Sequence, residues 1–301
     1  MKKRNLLYIG PAGWSYKDWE GIVYPAASPK SFDRLSFLSQ YFNTIEINSS
    51  FYRPPTEKVV SNWLRRVSDR PDFLFTAKLW QRFTHERGQF PGDEEIRLVK
   101  NGIELLKQEN RLGALLIQFP WSFQKTSDNW DWLRRIIDLF RDFEPVVELR
   151  HNSWLEPEFF NYLKEENVGF ANIDQPVIGA SIPLTDYATS SVAYVRFHGR
   201  NEKNWFDSNA DAASRYDYLY TLEELEDIRK KIETVIEVSP KTFLIFNNHF
   251  RGQGIANAFQ LQYLFDGEKK ALPADFLQYY PNLEKIAGQR KDRKGQISLF
   301  D

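Results

Sequence analysis

Short apolar runs of strand length recur along the chain, separated by longer stretches in which apolar residues return every three or four positions. The runs read LLYIG (6–10), TIEIN (44–48), FLFTAK (73–78), ALLIQF (114–119), PVVELR (145–150), GFANID (169–174), VAYVRFH (192–198) and TFLIFNN (242–248). Between most of them lie amphipathic segments with helix-start signals. SFDRLSFLSQYF opens after a Ser31 cap, TEKVVSNWLRRV starts on Thr56, and TLEELEDIRKKIETVI begins with a capping box, Thr221 and Glu224. Strands alternating with helices predict a parallel sheet, and eight such units predict an α/β fold of the closed (β/α)8, TIM-like barrel type. The sixth unit is the exception, because residues 175–191 show no helical pattern. A doubly wound open sheet is the alternative, and the lack of a glycine-rich dinucleotide fingerprint weighs against it. The expected organisation is one barrel domain, 1–288, followed by a basic flexible tail, 289–301.

Polar residues interrupt the strands in a regular way. Near the C-terminal end of a strand they pair at i and i+2, which places both on one face. The pairs are Glu46 and Asn48, Thr76 and Lys78, Glu148 and Arg150, Asn172 and Asp174, and Arg196 and His198; Gln118 and Asn247–Asn248 end two more strands. Buried parallel strands are otherwise nearly all apolar, and in this fold the strand C-termini form the mouth where active sites gather. Glu46, Glu148, Arg150, Asp174, Arg196 and His198 are therefore the candidate catalytic residues. The alternative is a polar plug that seals the barrel and does no chemistry.

The chain has 301 residues, a net charge of −1 and no cysteine. Thiolate metal sites, disulfides and cysteine nucleophiles are thereby excluded. The near-neutral charge argues against binding nucleic acid or membrane through bulk charge. The opening MKKRNLLYIGPAGW is broken by Gly10 and Pro11 and reads as a first strand rather than a signal peptide. No stretch approaches a membrane span, which fits a cytoplasmic protein.

The segments GWSYKDWEGIVYP (13–25), FNTIEINSSFYRPP (42–55), FTAK (75–78), LIQFP (116–120), ELRHNSW (148–154), YVRFHGR (194–200) and FNNHFRGQGIANA (246–258) together resemble the domain-of-unknown-function-72, or YecE-like, family. The resemblance runs to about residue 265 and implies a TIM-like barrel. It implies no particular reaction, so the chemistry has to come from the residues.

Glu46, Glu148 and Asp174 could converge with His151, His198 and His249 around a divalent ion, Mg²⁺ or Mn²⁺ suiting an oxygen-rich set. No HxH or HExxH spacing supports this, and Lys78, Arg150 and Arg196 could neutralise the carboxylates instead. The same cations suggest an anionic ligand. Gly252 and Gly254, with Arg251 and Arg200, could form the phosphate loop that many barrels carry after their last strands. Aromatic residues crowd the expected rim: Trp14, Tyr16, Trp19, Phe51, Tyr52, Trp80, Trp121, Trp154 and Trp205. Trp14, Tyr16, Asn48, Tyr52, Lys78, Gln118, His151, Trp154, Asn247, Asn248 and Arg251 are the expected substrate contacts. A barrel glycosidase with carboxylates after strands four and seven loses most of its weight, since those strands end in Gln118 and Arg196–His198, and only a different geometry pairing Glu46 with Glu148 keeps it open.

The last residues read RKDRKGQISLFD. QISLF resembles the bacterial sliding-clamp-binding motif, which implies that Leu299 and Phe300 fill an apolar pocket on the clamp of DNA polymerase while Ile297 adds a smaller anchor and Gln296 bonds its rim. Three functions follow as expectations: a phosphodiester hydrolase recruited to DNA by the clamp, an enzyme acting on a small phosphorylated sugar or nucleotide, or a non-catalytic clamp-associated adaptor.

Overall fold

The structure is a computed structural model that describes residues 5–203, 205 and 215–288. Eight strands, β1 (Leu6–Pro11), β2 (Thr44–Ile47), β3 (Leu74–Lys78), β4 (Leu112–Gln118), β5 (Pro145–Glu148), β6 (Gly169–Asp174), β7 (Val192–Phe197) and β8 (Lys241–Phe246), form one parallel sheet. Each strand ladders with its neighbours in the order β1-β8-β7-β6-β5-β4-β3-β2, so the expected TIM-like barrel is present. The outer layer holds helices α1 (Arg34–Leu38), α2 (Glu57–Arg66), α3 (Asp93–Gln108), α4 (Ser127–Phe140), α5 (Pro157–Glu165), α6 (Leu222–Val238) and α7 (Gln253–Asp266). Among the described residues no helix is long and apolar enough to cross a membrane.

The helix starts follow local chemistry. Thr221 and Glu224 form the expected capping box of α6, and Thr56 is the N-cap of α2. The first helix departs from expectation by two residues: Asp33, not Ser31, caps α1, its carboxylate accepting from the backbone of Leu35 and Ser36. Asp33 accepts two bonds in this geometry and a hydroxyl would offer a weaker acceptor. Residues 175–191 form no helix and run as a loop over β6, held by Asn172.

The ring closes by an unusual joint. No ladder links β1 to β2; a single parallel bridge joins Ala12 to Glu46. Below it the Asn43 amide stands in for the missing ladder, accepting from Ile9 N at 3.0 Å and donating to Leu7 O at 2.8 Å. The backbones approach so closely there that a Cβ on Gly10 would lie 1.9 Å from Thr44 O. Only glycine fits that position.

Two apolar layers follow from the period of two. Ile9, Ile45, Phe75, Leu115, Val147, Val195 and Leu244 face the helices, whereas Tyr8, Ala114, Leu116, Val146, Ala171, Ile173, Tyr194 and Ile245 fill the barrel. On β6 it is Ala171 and Ile173 that point inward. Asn172 and Asp174 therefore face outward, the one pair of the five that does not enter the mouth.

Candidate functional site

The inward-facing polar pairs separate by depth. The lower members build a sealed network across the barrel. Arg196, fully buried, donates from Nη2 to Glu46 Oε1 at 2.8 Å and from Nη1 to Glu148 Oε2 at 2.5 Å. Tyr194 donates its hydroxyl to the other oxygen of Glu46 at 2.8 Å and lies 2.8 Å from the Thr76 hydroxyl. Both carboxylates are inaccessible to solvent. Burial alone would raise the Glu148 carboxyl, but Arg196, Arg150 and His198 hold it well below the ordinary carboxylate range. The carboxylates likewise outweigh burial at Arg196 and push its pKa up.

His198 completes this layer. Asn247 Nδ2 lies 3.1 Å from its Nδ1, and its Nε2 lies 3.5 Å from Glu148 Oε1. An amide donating to Nδ1 puts the ring proton on Nε2, facing the carboxylate. Burial first and Arg196 second lower its pKa to about 3, so the imidazole is neutral.

The upper members surround a cavity of about 780 Å³ at the strand C-termini. Its wall includes Trp14, Tyr16, Asn48, Tyr52, Lys78, Gln118, Arg150 and Asn247, all expected from the sequence. Phe51, Trp63, His85, Tyr216 and His249 line it as well. The volume is that of a small-molecule site. Among the described residues two cations, Lys78 and Arg150, reach this wall and no aspartate or glutamate does. Arg150 donates from Nε and Nη2 to Glu148 Oε1 at 3.1 and 3.0 Å. Lys78 Nζ sits 4.4 Å from the centre of the Phe51 ring. Burial, then Arg196, lower the Lys78 pKa to about 8.

One side of the cavity is aromatic. Tyr16 stacks on His249 at 4.4 Å, and the Trp19 indole donates to His249 O at 2.7 Å. Tyr16 itself donates to Ala12 O at 2.7 Å, and burial raises its pKa. His85 and His249 are both lowered to about 4, in each case mainly by burial, and are neutral. His85, Trp63 and Tyr216 lie on helices and loops rather than strand ends, so the period of two gave no signal for them.

Several expected contacts sit elsewhere. Asp174 faces outward and is held by Arg200, whose Nη2 is 2.8 Å from Oδ2, and by the Tyr220 hydroxyl at 2.6 Å from Oδ1. Asn248 donates to Tyr218 O and to Asn257 Oδ1, bracing the same outer corner. Trp154 is fully buried, its indole donating to Phe123 O. His151 meets the edge of Trp121 and holds the Ser153 hydroxyl. Arg251 belongs to a turn fixed by Asp18, which accepts from its backbone N–H at 2.6 Å. The expected phosphate loop packs onto the first loop instead, where a Cβ on Gly252 would lie 2.6 Å from Val23.

Among the described residues no group of three or more histidines, aspartates or glutamates is placed to hold a metal ion. Asp174 does not meet Glu46 and Glu148, and both of those are already neutralised by guanidinium groups. Among the described residues the donor set therefore does not fit the divalent ion that the sequence left open. Gln296, Ile297, Leu299 and Phe300 lie outside the described residues.

Known proteins agree on the fold. UPF0759 protein YunF of Bacillus subtilis (strain 168) is 30% identical over 282 residues, covering 89% of this chain and 97% of its own. UPF0759 protein YecE of Escherichia coli (strain K12) is 26% identical over 163 residues, covering 54% of this chain and 53% of its own. A crystal structure of a DUF72 family protein from Thermotoga maritima MSB8 superposes with a TM-score of 0.76 at 33% identity, covering 87% of this chain and 99% of that one. The model of the family described as "Protein of unknown function DUF72" matches residues 8–279, and the chain belongs to that family.

Proposed function

We propose that the protein is an enzyme whose substrate is a small anionic metabolite, a phosphorylated sugar or nucleotide being the class best suited to the mouth. The carrying observation is the charge of the wall: Lys78 and Arg150 line a cavity that, among the described residues, no carboxylate lines. A phosphate there meets a forked donor and an ammonium group without a competing anion among the described lining residues. Trp14 offers an aromatic surface for a sugar or base beside the Tyr16–His249 stack. Glu148 is not the proton acceptor in this reading, because three neighbours hold it ionised and solvent does not reach it.

A thermal-shift comparison of a sugar phosphate with its unphosphorylated parent tests this. Ligand at a hundred times Kd stabilises by about 2.7 kcal/mol, so the phosphorylated member is expected to raise Tm by several degrees and the parent by much less. Equal shifts, or none across a panel of phosphate esters, would reject the anion site. Arg150→Met is expected to remove the discrimination.

The sequence QISLF supports a second reading about place rather than chemistry. In it, residues 296–300 bind a bacterial sliding clamp, the basic residues 290–294 run as a tether beside DNA, and the anion reaching the mouth is a nucleotide or a phosphodiester. Titrating the clamp with the full chain is expected to give saturable binding that Gln296→Ala weakens and Phe300→Ala abolishes. Binding indifferent to both changes would remove the DNA reading.

A further inference from the structure

We propose that Lys78 is an imine-forming residue, its ε-amine condensing with the carbonyl carbon of an anionic aldehyde or ketone bound in the mouth. The proposal rests on the reading of the mouth as an anion site and names the substrate class within it.

Placement comes first. Lys78 is the last residue of β3 and shares the inward face with Thr76. Ser50 fixes its backbone twice, the hydroxyl donating to Lys78 O at 2.8 Å and accepting from Lys78 N at 3.1 Å. The same short turn carries Phe51, whose ring supports the ammonium. The side chain is thus aimed from a rigid strand end into the cavity, not draped over a surface.

Its partners come second. Nζ makes no hydrogen bond or ion pair to a described residue; the ring of Phe51 is its contact. The charged and titratable groups facing it are Glu46 on β2, Arg196 on β7, Glu148 and Arg150 at the end of β5, and His85 in the loop after β3. The two carboxylates face Arg196, and Glu148 also takes Arg150, so neither forms a salt bridge with the lysine. A lysine meant only to neutralise a buried acid would show that bridge. Burial and the two guanidinium groups lower its pKa to about 8, so about a tenth of the chains carry a free amine at neutral pH.

The step balances without any further reagent. The Nζ lone pair attacks the carbonyl carbon and the C=O π bond opens to a carbinolamine. The oxygen then departs as water, taking both amine protons, and a C=N bond remains. Arg150 is placed to hold the ligand's anionic group, and the amides of Asn48, Gln118 and Asn247 offer donors for the departing oxygen.

Pyridoxal phosphate, an aldehyde bearing a phosphate, is a suitable probe with the full chain. Limiting probe at pH 7, followed by borohydride reduction and peptide mass mapping, is expected to place the adduct on Lys78 at more than ten times the mean occupancy of the other lysines. Inorganic phosphate is expected to suppress it. An adduct spread over the lysines with Lys78 not enriched overturns the proposal. Unphosphorylated pyridoxal separates the two readings. If it labels Lys78 equally well and phosphate gives no protection, the imine stands and the anion site falls. If pyridoxal phosphate raises Tm while Lys78 stays unmodified, the anion site stands and the imine falls.

Discussion

Arg196 occupies a position at which almost any substitution leaves a buried charge alone. It lies between Glu46 and Glu148, with both carboxylates closed to solvent. Removing one member of such a set costs about 3–5 kcal/mol, because the remaining ions keep their desolvation without their partner. Arg196→Met is expected to destabilise the protein by that amount in urea unfolding. The triple change Arg196→Met, Glu46→Gln, Glu148→Gln is expected to recover much of the loss, and no recovery would contradict the assignment of the loss to unpaired charge. The i and i+2 pairs were legible in the sequence, but their depth was not. A period of two fixes the face and leaves the distance from solvent open, so the sequence did not show that Glu46, Glu148 and Arg196, its candidate catalytic residues, lie on the floor and are closed to solvent. Asn48, Lys78 and Arg150, one step higher, hold the wall.

Among the elements, β6 and the joint between β1 and β2 carry the differences from expectation. GFANID alternates apolar and polar residues, and alternation alone does not say which set faces the axis. The decision comes from partners remote in sequence: Arg200 and Tyr220 for Asp174, and the loop at Thr185 and Tyr187 for Asn172. At the joint, the Asn43 amide replaces two backbone bonds. Asn43→Ala is expected to cost about 2 kcal/mol, two bonds at roughly 1 kcal/mol each. Gly10→Ala is expected to cost more, since Thr44 O cannot retreat without breaking the ring. Native-state hydrogen exchange provides a direct check. In Asn43→Ala the amide of Ile9 should lose protection while those of β7 keep theirs, and uniform protection would show that the side chain does not hold the joint.

For the whole molecule, the eight-strand count and the closed barrel were readable because each strand repeats one pattern and every crossover but that from β6 to β7 carries a helix. Acid response is likewise a property of the ensemble of buried groups. His198, His85 and His249 are held to about 3, 4 and 4 when folded, against about 6.5 in an unfolded chain. Between those values the unfolded chain binds more protons, so stability rises with pH there and is lost on acidification from about pH 6.5 downward. Glu148, depressed in the fold, adds to the loss below about pH 4.5. The steepest loss is about 1.4 kcal/mol per pH unit for each histidine involved. Denaturant unfolding between pH 7 and 5 should show it, and His198→Gln should flatten the slope. Lastly, the stack of Tyr16 on His249 joins two residues from opposite ends of the barrel's sequence. A ribosome delivers the first long before the second, and the domain folds as a unit. A nascent chain therefore cannot assemble this wall of the cavity until β8 and the turn after it have emerged and docked, so a ligand taken by the proposed site would be captured only after that point.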